Sequence, residues 1–471
     1  MADFTQAFHA IEKIVGAAGV VADRDLWPAY LNDERQLYVG EAAMIVRPAT
    51  TQEVSDVMRV CHEHGLSVVP QGGNTGYCGG ATPDDGANQV LLSLSRMNNV
   101  RALDTVGFTM TVDAGVVLKS AQDAAAAENL LFPLSMGSEG SCQVGGNLST
   151  NAGGLAVLRY GNARDLVLGL EVVLPDGRVI EGLTGLRKDN TGYDLKNLFV
   201  GAEGTLGIIT AAVVKLFPVP NARQTAFLAV ADSAAACRLL GQARRQSGDA
   251  VTSFEYVSRE ALDLVLEHID GTSDPLDERH EHYVLIELSN GQTEDALRDV
   301  TEAILMHGIE AGDVLDGVIA ESGQQRDRLW QLRESIPESE KHAGMSVKHD
   351  VSVTIDRIPE YLAKAPDRVA RVAACRYSVY GHIGDGNLHY NLLAPAGDDP
   401  VSFKAQHASD LSQAVHDLAM EMGGSFSAEH GIGKLKKKAL AAYKSDSALD
   451  TMRAIKNALD PDGRMNPGKL F

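Results

Sequence analysis

Apolar and polar positions follow two rhythms along this chain. After the polar run Thr50-Thr51-Gln52-Glu53, the residues Val54, Val57, Met58 and Cys61 fall at i, i+3, i+4 and i+7, and Gly65 follows. That spacing predicts a helix opened by a capping box and closed by glycine. The next five residues, Leu66-Ser67-Val68-Val69-Pro70, are too short and too continuous for a helix and read as a buried strand. Further strands are predicted at 89–94, 108–112 and 207–217, with an Ala-rich helix at 116–130. A hairpin is predicted from 169–174 and 178–181 around Pro175-Asp176-Gly177. Residues 1–40 read as helical and peripheral.

Pro218-Val219-Pro220-Asn221 is the clearest linker signal. Beyond it the rhythms alternate: strand 225–230, helix 233–246, strand 253–257, helix 260–267, strand 283–288, helix 293–307. That order predicts an α+β sheet with helices on one face. Strand character returns at 375–395, and helices are predicted at 401–422 and 448–460. The tail Asp460-Pro461-Asp462-Gly463-Arg464-Met465-Asn466-Pro467-Gly468-Lys469 is rich in turn residues.

At 471 residues, 44% hydrophobic and 22% charged, the chain has material for two or three domains with large cores. A net charge of −21 excludes nucleic acid or an anionic membrane as an electrostatic partner, so an anionic substrate needs a local basic pocket. The cysteines Cys61, Cys78, Cys142, Cys237 and Cys375 are odd in number and scattered, without a CxxC pair. They predict a reducing setting, taken as cytoplasmic. The N-terminal Met-Ala-Asp-Phe-Thr-Gln shows neither signal-peptide nor transit-peptide character, and no 18-residue apolar stretch occurs.

Candidate chemistry concentrates in Tyr380-Gly381-His382-Ile383-Gly384-Asp385-Gly386-Asn387-Leu388-His389, answered by Ala428-Glu429-His430-Gly431. Two imidazoles and a carboxylate suit Zn, Fe or Mn with open coordination positions. On one helix, His382 and His389 would be separated by roughly 10 Å of rise. The turn chemistry of Gly384-Asp385-Gly386-Asn387 folds them toward one point instead. His430, next to Glu429, then stands beside the metal as a base. A Gly-rich surface turn with incidental histidines is the competing account. Two shorter groups, Cys61-His62-Glu63-His64 and His280-Glu281-His282, read as surface. The basic run Lys434-Leu435-Lys436-Lys437-Lys438 reads as a solvated face, with docking of an acidic redox partner as the alternative.

Glycine-rich segments form a second theme. Residues 72–80 hold five glycines directly after a strand, a loop whose backbone N–H groups can approach phosphate oxygens. Small residues dominate 137–154, and Gly201-Ala202-Glu203-Gly204-Thr205-Leu206-Gly207 is a third cluster. No GxGxxG and no Walker A motif is present. Three such clusters point to an extended diphosphate ligand.

Together these segments resemble the vanillyl-alcohol oxidase / p-cresol methylhydroxylase flavoprotein superfamily. The likeness rests on 70–80, on 145–154 continuing into Asn162-Ala163-Arg164-Asp165, and on 203–207. The metal motif and tail resemble its FAD-linked 2-hydroxy-acid dehydrogenase branch, which includes D-lactate, glycolate and D-2-hydroxyglutarate types. The resemblance implies an α+β chain with a two-lobed FAD-binding domain (1–218) and an α+β substrate and metal domain (219–425). A C-terminal segment (426–471) then returns to the flavin. It implies FAD contacts at Pro70, Gly72, Gly73, Asn74, Thr75, Gly76, Gly79 and Gly80. Further contacts fall at Gly137, Ser138, Gly145, Gly146, Asn147, Thr150, Asn151, Gly153 and Gly154, and at Glu203, Gly204, Gly207 and Asn466. Some relatives link FAD covalently through a histidine in the first loop; Asn74-Thr75 stand here, so non-covalent FAD is expected.

The resemblance further implies metal ligands His382, His389 and Glu429, with Zn first and Fe, Mn or Co as alternatives, and His430 as the base. A 2-hydroxy acid offers hydroxyl and carboxylate oxygens for chelation, and the Cα hydride leaves for the flavin. Asn391 falls on the His389 side of a strand and is expected at the substrate carboxylate. Arg333 and Lys348 match family positions that read a distal carboxylate. Pro337 stands where some members have threonine, with Ser335 as substitute. The expected reaction is oxidation of a D-2-hydroxy acid, D-2-hydroxyglutarate first and D-lactate or glycolate second. The soluble electron acceptor is expected to be an electron-transfer flavoprotein, and a homodimer is the assembly considered. The rival from another class is a non-catalytic FAD-binding subunit.

Overall fold

A computed structural model describes residues 4–84 and 88–471. The chain divides into two compact units. The first holds Met1–Gly153, Gly161–Val219 and Glu429–Phe471; the second holds Gly154–Tyr160 and Pro220–Ala428. The passage from one to the other at Val219/Pro220 falls inside the Pro-rich stretch.

In the first unit, β1 (Met44–Val46), β2 (Ser67–Gln71) and β3 (Gln89–Ser93) form a parallel sheet in the order β1-β3-β2. The helix Thr51–His64 packs Val54, Val57, Met58 and Cys61 inward, as its spacing predicts. Thr50 accepts from the Glu53 N–H at 3.1 Å, and the Glu53 carboxylate reaches back to the Ala49 N–H at 2.7 Å. Gly65 closes the helix in the left-handed region at φ 74°. Full burial of each such aliphatic side chain contributes about 1.5–3 kcal/mol. The helix Thr5–Val15 is less peripheral than expected, because Ala7, Ile11 and Val15 are buried.

A five-stranded antiparallel sheet completes the core of this unit. It is built from β4 (Val100–Asp104), β5 (Thr109–Asp113), β7 (Val167–Val173), β8 (Val179–Gly182) and β9 (Ile208–Lys215), in the order β4-β5-β9-β7-β8. A short pair, β6 (Leu130–Leu131) with β10 (Phe217–Pro218), lies apart. The tail uses the free edge of β2: the Val68 N–H donates to Arg464 O at 2.9 Å, and the Asn466 N–H donates to Val68 O at 2.8 Å. Turn residues without periodicity therefore become an extra strand-like edge.

The second unit is one seven-stranded sheet. Its strands are β11 (Ala222–Val230), β12 (Val251–Ser258), β13 (His282–Asn290), β14 (Val314–Ile319), β15 (Asp350–Ser352), β16 (Arg376–Gly381) and β17 (Asn387–Leu393). The order is β14-β11-β13-β12-β16-β17-β15, with every neighbour antiparallel. Helices Ser233–Gln246, Glu294–Glu310, Ile358–Ala370 and Pro400–Glu421 pack on one face. Helices Arg259–His268, Gly323–Glu334 and Ile336–His342 pack on the other. The expectation of helices on one face is thus corrected: both faces are covered. The reason is visible in β12, which sends Phe254 and Tyr256 into one core and Val257 into the other.

Candidate functional site

In the first unit, the glycine-rich segments meet by close backbone approach. A side chain at Gly73 would collide with the Ser141 carbonyl and come within 2.9 Å of Cys142 Cα. Only glycine lets the two loops touch there. A Cβ on Gly72 would lie 3.5 Å from the Gly146 backbone, whereas Gly76 and Gly137 open onto free space. Asn74 takes a left-handed conformation, φ 56°, and its side chain donates to Asn32 O at 2.8 Å. Thr75 continues this partly exposed turn, and Gly79 and Gly80 close it. Ser138, Gly145, Asn147, Thr150, Asn151 and Gly153 follow in the second segment. There the helix Val144–Ser149 is bounded by Gln143 and Thr150, and Asn151 accepts from the Arg164 N–H at 2.9 Å. Gly154 opens the short stretch assigned to the second unit.

The third segment binds the tail. Asn466 donates to Gly80 O at 2.9 Å and to Glu203 O at 2.7 Å, next to Gly204 and the Pro70 ring. Gly207 leads into β9. The Glu203 carboxylate accepts from the Ile432 and Gly433 N–H groups, each at 2.7 Å, so it pins the residues that follow His430. Burial pushes the Glu203 carboxyl up, and those two N–H groups pull it down without cancelling the rise. Lys434 N–H donates to Cys78 O at 2.8 Å, and the His430 ring stands edge-on to Tyr77 with centroids 4.9 Å apart. His430 is therefore carried on the first glycine-rich loop. Among the described residues of this unit, three buried amide oxygens have no donor: Gln143 Oε1, Asn197 Oδ1 and Asn466 Oδ1; Gln143 and Asn466 belong to the glycine-rich segment and the tail. A flavin offers N–H and hydroxyl donors, so these residues fit it.

In the second unit, the hairpin β16–β17 carries both imidazoles. Its tip is closed by the Asp385 and Asn387 N–H groups, which donate to His382 O at 3.1 and 3.2 Å. Tyr380 pairs with His389 across the hairpin, and the His382 and His389 rings lie 5.7 Å apart between centroids. Burial raises the Asp385 carboxyl to about 6.

Two buried glutamates organise what surrounds these rings. Glu255 Oε1 meets His382 Nδ1 at 2.7 Å. Glu255 Oε2 meets Arg333 Nε at 2.9 Å and Nη2 at 2.8 Å. Burial would raise the Glu255 carboxyl; His382 and Arg333 beside it outweigh burial and hold it below the usual carboxylate range. Glu340 accepts from Lys348 Nζ at 2.5 Å, from Asn391 Nδ2 at 2.8 Å and from Ser346 Oγ at 3.1 Å. Asn391 Oδ1 in turn accepts the His349 N–H at 2.9 Å. Arg333 and Lys348 are thus each paired with a glutamate, Arg333 with one on a strand rather than in its own helix. Ser335 caps the junction between two helices. Sequence reasoning passed over both glutamates. Glu255 had a signal, one acid inside the apolar run Phe254-Glu255-Tyr256-Val257; Glu340 had none.

The weaker groups settle simply. His62 and His64 end the first unit's Thr51–His64 helix. His282 Nδ1 bonds the Tyr256 hydroxyl at 2.7 Å. Lys434 is not a purely solvated charge, since it pairs with Asp84 at 2.7 Å.

Comparison with known proteins bears on both units. A family model described as FAD binding domain matches residues 42–182, and one described as FAD linked oxidases, C-terminal domain, matches 219–470. The mitochondrial D-2-hydroxyglutarate dehydrogenase of Arabidopsis thaliana is 37% identical over 98% of this chain and 80% of its own length. That of Bos taurus is 39% identical over 98% of this chain and 82% of its own. The solved structure of p-cresol methylhydroxylase with substrate bound superposes with a TM-score of 0.76 at 17% identity, over 99% of this chain and 96% of that one. The fold is therefore that of a p-cresol methylhydroxylase-type flavoprotein. Within that class, the chain belongs to the FAD-linked oxidase family, in its branch of FAD-dependent D-2-hydroxy-acid dehydrogenases.

One expectation falls here. The relatives are named mitochondrial, which overturns the cytoplasmic setting and points to mitochondria. Scattered free cysteines indicate a reducing surrounding and do not say which compartment supplies it. Among the described residues, no helix is long and apolar enough to cross a membrane.

Proposed function

We propose that this enzyme oxidises D-2-hydroxyglutarate to 2-oxoglutarate, using non-covalent FAD and a divalent metal held by His382, His389 and Glu429. The observation that carries the reading is one sheet that bears both imidazoles and, on neighbouring elements, both cations. The names of the relatives agree with it. Glu429 is supported as third ligand by chain continuity. The Ala428 N–H donates to Asp350 O at 3.2 Å, and Asp350 is the cross-strand partner of His389. Glu429 is the next residue, about 3.8 Å on between Cα atoms. Two imidazoles and a carboxylate fit zinc, and also iron, manganese or cobalt. In this reading 1–218 is the FAD-binding domain, 219–425 the substrate and metal domain, and 426–471 the segment that completes the active site.

When bound, FAD supplies the hydride acceptor and the metal a Lewis acid for the substrate's hydroxyl and carboxylate. His430 takes the hydroxyl proton; its segment is held by Glu203 and its ring rests on Tyr77. Asn391 orients the near carboxylate. Arg333 and Lys348 read the far one, each already neutralised by a glutamate, so the dianion is recognised by hydrogen-bond geometry more than by surplus charge. Electrons then pass to a soluble acceptor of the electron-transfer flavoprotein type. A complete ligand-and-base set argues against a non-catalytic subunit.

The test is a ratio: kcat/KM for D-2-hydroxyglutarate over that for D-lactate, with a dye acceptor, in wild type, Arg333→Ala and Lys348→Ala. A charge-assisted hydrogen bond contributes about 1.5–3 kcal/mol, so either substitution lowers the ratio roughly 10–100-fold. The ratio does not depend on the folded fraction. A wild type that prefers D-lactate or glycolate overturns the substrate assignment; unchanged ratios overturn the roles of the two cations.

A further inference from the structure

We propose that Glu255 is a positioning residue that fixes the metal-binding face of His382 and couples it to Arg333. The inference rests on the metal reading above. Glu255 sits in the middle of β12, on the sheet face it shares with Val257, and is 1% exposed. A carboxylate in that surrounding is costly unless every oxygen is answered. Both oxygens are answered, one by His382 and the other twice by Arg333.

The chemistry of the pair sets the direction. An ionised carboxylate only accepts, so His382 carries its proton on Nδ1. The lone pair then lies on Nε2, the nitrogen that would hold a cation. Arg333 holds the same carboxylate from the other side, while its guanidinium lies 4.6 Å from the Tyr380 ring centroid. Arg333 therefore acts on the metal through Glu255, as well as on substrate. Lys348 has no such route, because it is bound to Glu340. Glutamine at 255 accepts on one side only and presents N–H groups to the other partner, so it either breaks the arginine contact or makes His382 Nδ1 the acceptor, which moves the imidazole proton to Nε2.

The experiment is equilibrium dialysis of the purified full-length flavoprotein against zinc alone, with metal and flavin counted per chain. Glu255→Gln is expected to raise the zinc Kd about 10–100-fold, the usual effect of losing such a supporting hydrogen bond. Arg333→Met is expected to raise it in the same direction, and Lys348→Met to leave it unchanged, with flavin content constant throughout. Wild-type zinc affinity in Glu255→Gln overturns the proposal and leaves the metal reading standing. A wild type that binds no zinc overturns both. If Glu255→Gln does not fold, the double variant Glu255→Gln/Arg333→Met, which leaves no unpaired buried charge, takes its place. Zinc affinity in that variant equal to wild type also overturns the proposal.

Discussion

The glycine-rich cradle of the first unit and the sheet-borne polar site of the second are built by opposite means. The cradle is made of backbone: Gly73 lies against Ser141, Gly433 against Cys78, and the tail strand against β2. Side chains there serve mostly as hooks, such as Asn466 and Glu203. The polar site is made of side chains: Glu255 and Glu340 hold Arg333, His382, Lys348 and Asn391 from separate strands and helices. A backbone-built site is sensitive to added bulk. A side-chain-built site is sensitive to lost charge partners. The comparison therefore predicts that substitutions at the cradle glycines leave the metal in place, and that substitutions on the imidazole hairpin leave the flavin in place.

The largest effects are expected at the ligands and the base. His382→Ala, His389→Ala and Glu429→Ala each lose metal and nearly all turnover while keeping flavin; chelator mimics them, and added metal restores the wild type only. His430→Ala keeps metal and loses about 10²–10⁴-fold in kcat. Metal analysis and the flavin spectrum check both. Metal loss in His430→Ala would exchange the ligand and base assignments, and flavin loss in the histidine variants would erase the contrast between the two regions.

Next come the buried ion pairs, read by denaturant unfolding. Arg333→Met leaves the buried Glu255 carboxylate without its only full positive charge, with the His382 contact alone remaining, and costs about 3–5 kcal/mol. Lys348→Met costs less, about 1–3 kcal/mol, because Glu340 retains Asn391 and Ser346. The Arg333 effect has a pH signature. The folded Glu255 carboxyl lies below its unfolded value, so its contribution is present above about pH 4.3 and is lost as pH falls through the depressed folded value. Wild type and Arg333→Met should therefore converge in acid; a gap that widens there contradicts the pairing.

The smallest effects separate two glycines of the cradle. Gly73→Ala forces the two loops apart, costing about 1–3 kcal/mol and weakening flavin retention. Gly76→Ala meets open space and stays within about 0.5 kcal/mol. Equal stability and equal flavin content in both variants would remove the steric account of the cradle.

Much of the frame was legible in the chain. The helix at Thr51–His64 and its closing glycine followed from a 3.6-residue rhythm with local caps, and Ser233–Gln246 was predicted to the residue. The hairpin that carries His382 and His389 followed from local turn chemistry. Such features depend on neighbours in sequence, which a linear reading contains. The strands β1 and β14 escaped it; each has three to six residues and takes its pairing from a strand far along the chain. The strand β4 escaped it for another reason: it pairs with its neighbour β5 but is mostly exposed, so it carries no apolar rhythm. The second layer of helices escaped it too, because a strand with apolar residues on both faces has no polar side to declare.

The sequence by itself determined the element types, the glycine loops, and the short-range geometry of the imidazole hairpin. Tertiary structure alone decided who answers the charges. Glu255 and Arg333 lie 78 positions apart, and Glu340 and Asn391 lie 51 apart. A buried carboxylate must be matched wherever the fold brings donors to it, and that match is set by sheet order and helix packing, which no local rhythm encodes.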